Sequence, residues 1–63
     1  MKVRNALKRL HEDGWREVRT KGSHRVLQHP TKPGNVILAG NLGNDVPKGL
    51  LSAIFKQAKL EDA

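Results

Sequence analysis

The 63 residues contain no cysteine. Disulfides therefore cannot supplement the core, and a cysteine-based zinc site is excluded. Aromatic residues are scarce, with one Trp, one Phe and no Tyr. That argues against a single-strand binder built on several stacked rings. No apolar run approaches the roughly 18 residues of a membrane span. The basic N-terminus leads into helical periodicity rather than the apolar core of a signal peptide. The expectation is a cytoplasmic chain with no membrane partner. Three histidines scattered along the chain predict no metal clip. A chain this short buries only about 60% of its unfolded surface, so one marginally stable domain over residues 1–63 is expected.

Positive charge is what the chain has in excess. It carries 12 Lys+Arg against 6 Asp+Glu, a formal charge of +6. The excess lies in residues 1–34, with nine basic and three acidic residues; residues 35–63 have three of each sign. Such a density suits a polyanionic partner. The closing Glu61-Asp62-Ala63 reads as a frayed acidic end.

Apolar periodicity sets the element order. Val3, Ala6, Leu7 and Leu10 recur at i, i+3, i+4 and i+7, predicting a helix over about residues 2–13 that Gly14 stops. Its polar side holds Arg4, Lys8 and His11, a like-charged row that costs helix stability and so points weakly to an anionic partner. Trp15–Thr20 and His24–His29 read as strands around a Lys21-Gly22-Ser23 turn, and Pro30 ends the second. Thr31–Gly34 is a turn, and Asn35–Ala39 a short third strand. After a loop, a second helix begins near Pro47, with Asp45 or Asn44 as candidate caps. Its expected apolar face is Leu50, Leu51, Ile54, Phe55 and Ala58, opposite Lys48, Ser52, Lys56 and Lys59. The fold class is α+β in α-β-β-β-α order: a three-stranded antiparallel sheet with both helices on one face and the other face open.

The residues that bear chemistry are few. His24 opens a strand after a Gly-Ser turn, between Lys21 and Arg25. Cleavage of RNA by its 2′-hydroxyl needs a proton carrier and cations on the phosphate, which His24, Lys21, Arg25 and the Gly22-Ser23 backbone can supply. The plain alternative is a strand-end histidine at a polar turn. His29 before Pro30 suits a packing or capping role, and His11 suits a helix C-terminus. Trp15 suits the core better than base stacking. Ser23 and Ser52 lack a Ser-His-Asp arrangement, and Gly40 and Gly43 lack the ending of a phosphate loop. Lys48 and the Arg4–Lys8 row are either a solvated face or a phosphate track.

Gly14-Trp15, the run Arg19-Thr20-Lys21-Gly22-Ser23-His24-Arg25, and His29-Pro30 together resemble the HicA family of toxin ribonucleases. The ending Pro47-Lys48-Gly49-Leu50-Leu51 through Lys56-Gln57-Ala58 is similar to that family's close. The resemblance covers about residues 3–60. It implies a fold like a double-stranded RNA-binding domain and a type II toxin–antitoxin role. It also implies a metal-independent messenger RNA interferase without cofactor, with His24 as the catalytic histidine and a HicB-type antitoxin as partner. On the Lys-Gly-Ser-His-Arg run and the charge of residues 1–34, the expected RNA contacts are Lys21, Gly22, Ser23, Arg25, Arg4 and Lys8, with Lys48 of the second helix. The chain departs from the family pattern at Leu50, where a Thr is usual, and at Lys59, where a Gly is usual. It departs again at Ala39-Gly40-Asn41, where a proline and a histidine are frequent. Two readings compete with the nuclease. One is a non-catalytic module that recognises RNA duplex shape. The other is a component that functions only under an acidic protein partner.

Overall fold

The computed structural model describes residues 1–60, and the acidic end at 61–63 lies outside the described residues. The elements are α1 (Val3–Asp13), β1 (Arg16–Lys21), β2 (His24–Gln28), β3 (Val36–Ala39) and α2 (Lys48–Gln57). The expected α-β-β-β-α order holds. The sheet runs β1-β2-β3, with both neighbouring pairs antiparallel.

Alternation along the strands assigns the faces. Leu27, Val36 and Leu38 are buried and share one core with Val3, Ala6 and Leu10 of α1 and with Ile54, Phe55 and Ala58 around α2. Both helices therefore cover the same sheet face. Ile37 lies on the other face and is 59% exposed. Each strand residue points opposite to its neighbours. The register Val26↔Ile37 and His24↔Ala39 thus places Val26 and His24 on that uncovered face. A bulge between Glu17 and Arg19 interrupts β1 at Val18, which is 56% exposed.

Both helices end in the same device. After α1, Gly14 N–H donates to the His11 carbonyl and Trp15 N–H to the Leu10 carbonyl. This is the Schellman pattern, with Gly14 at φ +113° and buried Trp15 against buried Leu10. After α2, Lys59 N–H donates to Lys56 and Leu60 N–H to Phe55 in the same pattern. Here the positive-φ position holds Lys59 at φ +57°, where the family pattern has glycine.

Three expectations need correction. The turn is shorter than Lys21–Ser23: Lys21 pairs with His24, so only Gly22 and Ser23 lie outside the ladder. Neither Asn44 nor Asp45 caps α2, whose N-cap is Pro47 with no side-chain cap. Asp45 instead forms a single antiparallel bridge with Lys2, and the Asn44 carbonyl accepts from Val3 N–H at the start of α1. Leu50 is 53% exposed and outside the core. Leu51, Ile54, Phe55 and Ala58 form a complete i, i+3, i+4, i+7 stripe, and Leu50 projects about 90° from its centre at 3.6 residues per turn.

Candidate active site and basic surface

The hairpin tip is built by Gly22 and Ser23. Gly22 has φ +59°, while Ser23 does not adopt positive φ. Glycine first with positive φ is the sign pattern of a type II′ turn, whose twist suits antiparallel strands. Such a tight turn leaves Lys21 and His24 as the last cross-strand pair, side by side on the uncovered face. Arg19 and Val26 form the next pair inward, continued across the sheet by Ile37. Arg19 was not among the expected contacts. Its signal was parity, since it lies two residues before Lys21 in one strand.

Arg25 departs from the expected cluster. It follows His24 and so points to the opposite face, where it pairs with buried Leu38 and is half-buried. Its guanidinium donates to the Gly40 carbonyl at 2.9 Å and to the Ser23 carbonyl at 3.2 Å. Gly40 N–H closes the arrangement by donating to the same Ser23 carbonyl at 3.0 Å.

The three histidines separate by environment. His29 has a side chain only 8% exposed. Its Nδ1 accepts the backbone N–H of Thr31 at 3.0 Å and of Lys32 at 3.1 Å. With Nδ1 an acceptor, the ring hydrogen sits on Nε2 and is donated to the Asp13 carbonyl at 2.6 Å. The ring also meets Trp15 edge-on, with centroids 5.3 Å apart. His29 is thus a structural residue, as its position before Pro30 suggested. His11 at the last turn of α1 contacts the Glu17 carboxylate of β1. His24 is exposed, and no described residue hydrogen-bonds its ring.

A separate charged knot sits where α1 and α2 end. Lys32 Nζ donates to Asp13 Oδ2 at 2.5 Å and to the carbonyls of Lys59 at 3.1 Å and Ala58 at 3.2 Å. The Lys32 ammonium holds the Asp13 carboxyl below its usual pKa range, an effect that partial burial opposes. Nineteen residues separate the pair, so no local spacing announced it.

The remaining basic residues occupy the helical layer. Arg4 and Lys8 lie one turn apart on α1 and line a shallow groove of about 370 Å³ with Leu7, His11, Glu12 and Leu42. Arg4 N–H donates to the Leu42 carbonyl, and Gly40 N–H to Ser23. The loop between β3 and α2 thus links the start of α1 to the hairpin tip at one end of the molecule. Lys48 is exposed at the first residue of α2, beyond the same loop. The structure brings Lys21, Gly22 and Ser23 beside His24, sets Arg25 behind the turn, and leaves Arg4, Lys8 and Lys48 in the other layer. Among the described residues, no three His, Asp or Glu side chains are grouped to hold a metal ion, and no helix is long and apolar enough to cross a membrane.

No curated protein matches the chain closely. The family model described as the HicA toxin of bacterial toxin–antitoxin systems matches residues 3–60. The chain belongs to the HicA toxin family; it is the toxin of a toxin–antitoxin module, and an antitoxin is its implied partner.

Proposed function

We propose that this HicA-family toxin acts as one domain that cleaves messenger RNA, with His24 as the proton carrier. The observation that carries the reading is the contrast among the histidines. His11 and His29 are engaged by Glu17 and by the Asp13 carbonyl, whereas His24 is exposed beside Lys21 and no described residue hydrogen-bonds its ring.

The step balances without a metal or cofactor. His24 takes the proton of a ribose 2′-hydroxyl while water protonates the departing 5′-oxygen, or hands its own proton to that oxygen while water takes the 2′ proton. The 2′-oxygen forms a bond to phosphorus as the bond to the 5′-oxygen breaks. The products are a 2′,3′-cyclic phosphate and a 5′-hydroxyl end. Lys21 stands where a cation can offset the phosphorane charge, and the Gly22-Ser23 turn lets backbone approach it closely. Arg4, Lys8 and Lys48 then track the RNA backbone away from the reacting bond, contributing affinity that falls with salt.

An antitoxin of the HicB type fits the same surface. The uncovered sheet face offers the aliphatic pair Val26 and Ile37 beside Arg19, Lys21 and His24. A partner with an apolar strip flanked by carboxylates would cover both the patch and the histidine.

The test is expression of the wild type and of His24→Ala without antitoxin, following growth and transcript integrity. General acid–base catalysis is worth about 10²- to 10⁴-fold, so His24→Ala should lose toxicity and cleavage by that factor while circular dichroism shows a folded chain. Equal toxicity and cleavage by both proteins would remove His24 from the mechanism. Salt-sensitive RNA binding without cleavage by either protein would establish the non-catalytic binding module instead.

A further inference from the structure

We propose that Arg25 is a positioning residue that clamps the hairpin tip carrying His24 to the loop after β3, and that it does not contact RNA phosphate. This rests on the reading of His24 as the proton carrier.

The placement decides the role. Arg25 lies on the face opposite His24 and Lys21, half-buried against the core. A phosphate held between Lys21 and His24 lies on the far side of the sheet from the Arg25 guanidinium. One nitrogen of that guanidinium is spent on two backbone carbonyls, Ser23 at 3.2 Å and Gly40 at 2.9 Å. Charge-assisted bonds of this kind are about twice as strong as neutral ones.

The clamp acts where the backbone has most freedom. Gly22 at φ +59° directly precedes one anchor, Ser23, and Gly40 at φ +114° is the other. Gly40 is also packed closely: a Cβ there would lie 3.4 Å from the Val3 side chain. With Arg25 in place, the tip, the loop and the start of α1 become one unit. His24 is the first residue after Ser23, so its ring inherits that rigidity. Displacement of a reacting group by about 1 Å can cost on the order of 100-fold in rate.

Lysine separates the two roles. Lys retains the charge that a phosphate contact needs, but its ammonium ends one bond short of the guanidinium nitrogen that bridges the two carbonyls and sits on a flexible stem rather than a rigid plane. A 5′-labelled synthetic messenger RNA fragment serves as substrate for the wild type, Arg25→Lys, Arg25→Ala and His24→Ala. Amide hydrogen exchange at Gly40, Leu27 and Leu38 is followed in parallel, and rates are referred to folded protein measured by circular dichroism.

Both Arg25 variants should lower kcat about 10- to 100-fold, with KM within twofold. Exchange at Gly40 should quicken at least tenfold, while Leu27 and Leu38 stay protected. The salt dependence of RNA binding should keep its wild-type slope, because no phosphate contact is lost; losing one would reduce the slope by about 0.7–0.9. A kcat for Arg25→Lys within threefold of wild type overturns the proposal, as does a raised KM with a reduced salt slope. Unchanged Gly40 exchange in Arg25→Ala refutes the clamp itself, whatever the activity. Wild-type cleavage by His24→Ala removes the catalytic premise, an outcome distinct from loss of the clamp.

Discussion

Replacing Gly14 by alanine tests how the junction between α1 and β1 is held. Two independent costs meet there. Gly14 has φ +113°, a region that L-residues enter at about 1–2 kcal/mol. A Cβ at Gly14 would also lie 2.8 Å from His29 Nε2, 3.3 Å from Cδ2 and 3.4 Å from Cε1. The ring is enclosed, so the histidine must leave its place. Its bond to the Asp13 carbonyl is then lost and a buried polar group is unpaired, at about 1–3 kcal/mol. The sum is about 2–5 kcal/mol, against a total of roughly 3–9 kcal/mol expected for 63 residues.

Gly34 supplies the control. It has φ +85° and nothing within 4 Å of an added Cβ, so Gly34→Ala carries only the backbone cost. Urea unfolding followed by circular dichroism should show Gly14→Ala losing about 1–3 kcal/mol more than Gly34→Ala. At 4–8 °C per kcal/mol in a domain this small, Gly14→Ala should melt about 8–40 °C below wild type. Combining Gly14→Ala with His29→Ala should cost less than the two changes summed, because the second removes the obstacle met by the first. Equal losses for Gly14→Ala and Gly34→Ala, or strict additivity with His29→Ala, would refute the reasoning.

Two further outcomes follow from the same end of the molecule. Lys59→Gly relieves a positive φ of +57° at the end of α2 and should stabilise by about 0.5–1 kcal/mol, read as a melting point raised by a few degrees; a lowered melting point would contradict the cap assignment. Asp13 has a lowered carboxyl pKa in the fold, so its ionised form favours folding. That contribution is complete above the ordinary carboxylate range and is lost as pH falls through the folded-state value. The urea midpoint gap between wild type and Asp13→Asn should therefore be constant near neutrality and close in acid; a gap independent of pH would show that the Lys32 contact is electrostatically idle.

What the sequence disclosed was decided by local rules. The stripe of α1, the stop at Gly14 and burial of Trp15 follow from periodicity and capping, and each is present in the fold. Leu50 was misplaced because any leucine near an apolar stripe looks like part of it, whereas four other residues already fill the face of α2. Asp45 looked like a cap from its position, but the bridge to Lys2 engages it. Arg25 is the instructive case for the site. The residue run set it beside His24 in sequence, and strand alternation sets it on the other side of the sheet. The Lys32–Asp13 contact reaches across the β1–β2 hairpin and had no sequence signal. Long-range polar contacts of this kind are fixed by the packed helices and turns, after local preferences have been satisfied.

Trp15 gives the molecule an optical property. It is the sole indole in a chain without tyrosine, so emission excited near its absorption edge comes from one place. In the folded state that ring is 1% exposed and touches His29 edge-on at the end of α1. Its colour therefore reports whether the helix junction is closed, and unfolding should shift it to the red. The histidine proposed to act on RNA lies on the sheet face turned away from that core. Loading of that face by nucleic acid or by an antitoxin should leave the indole in its dry setting. Loss of fold and occupation of the working surface can thus be watched in one cuvette and told apart.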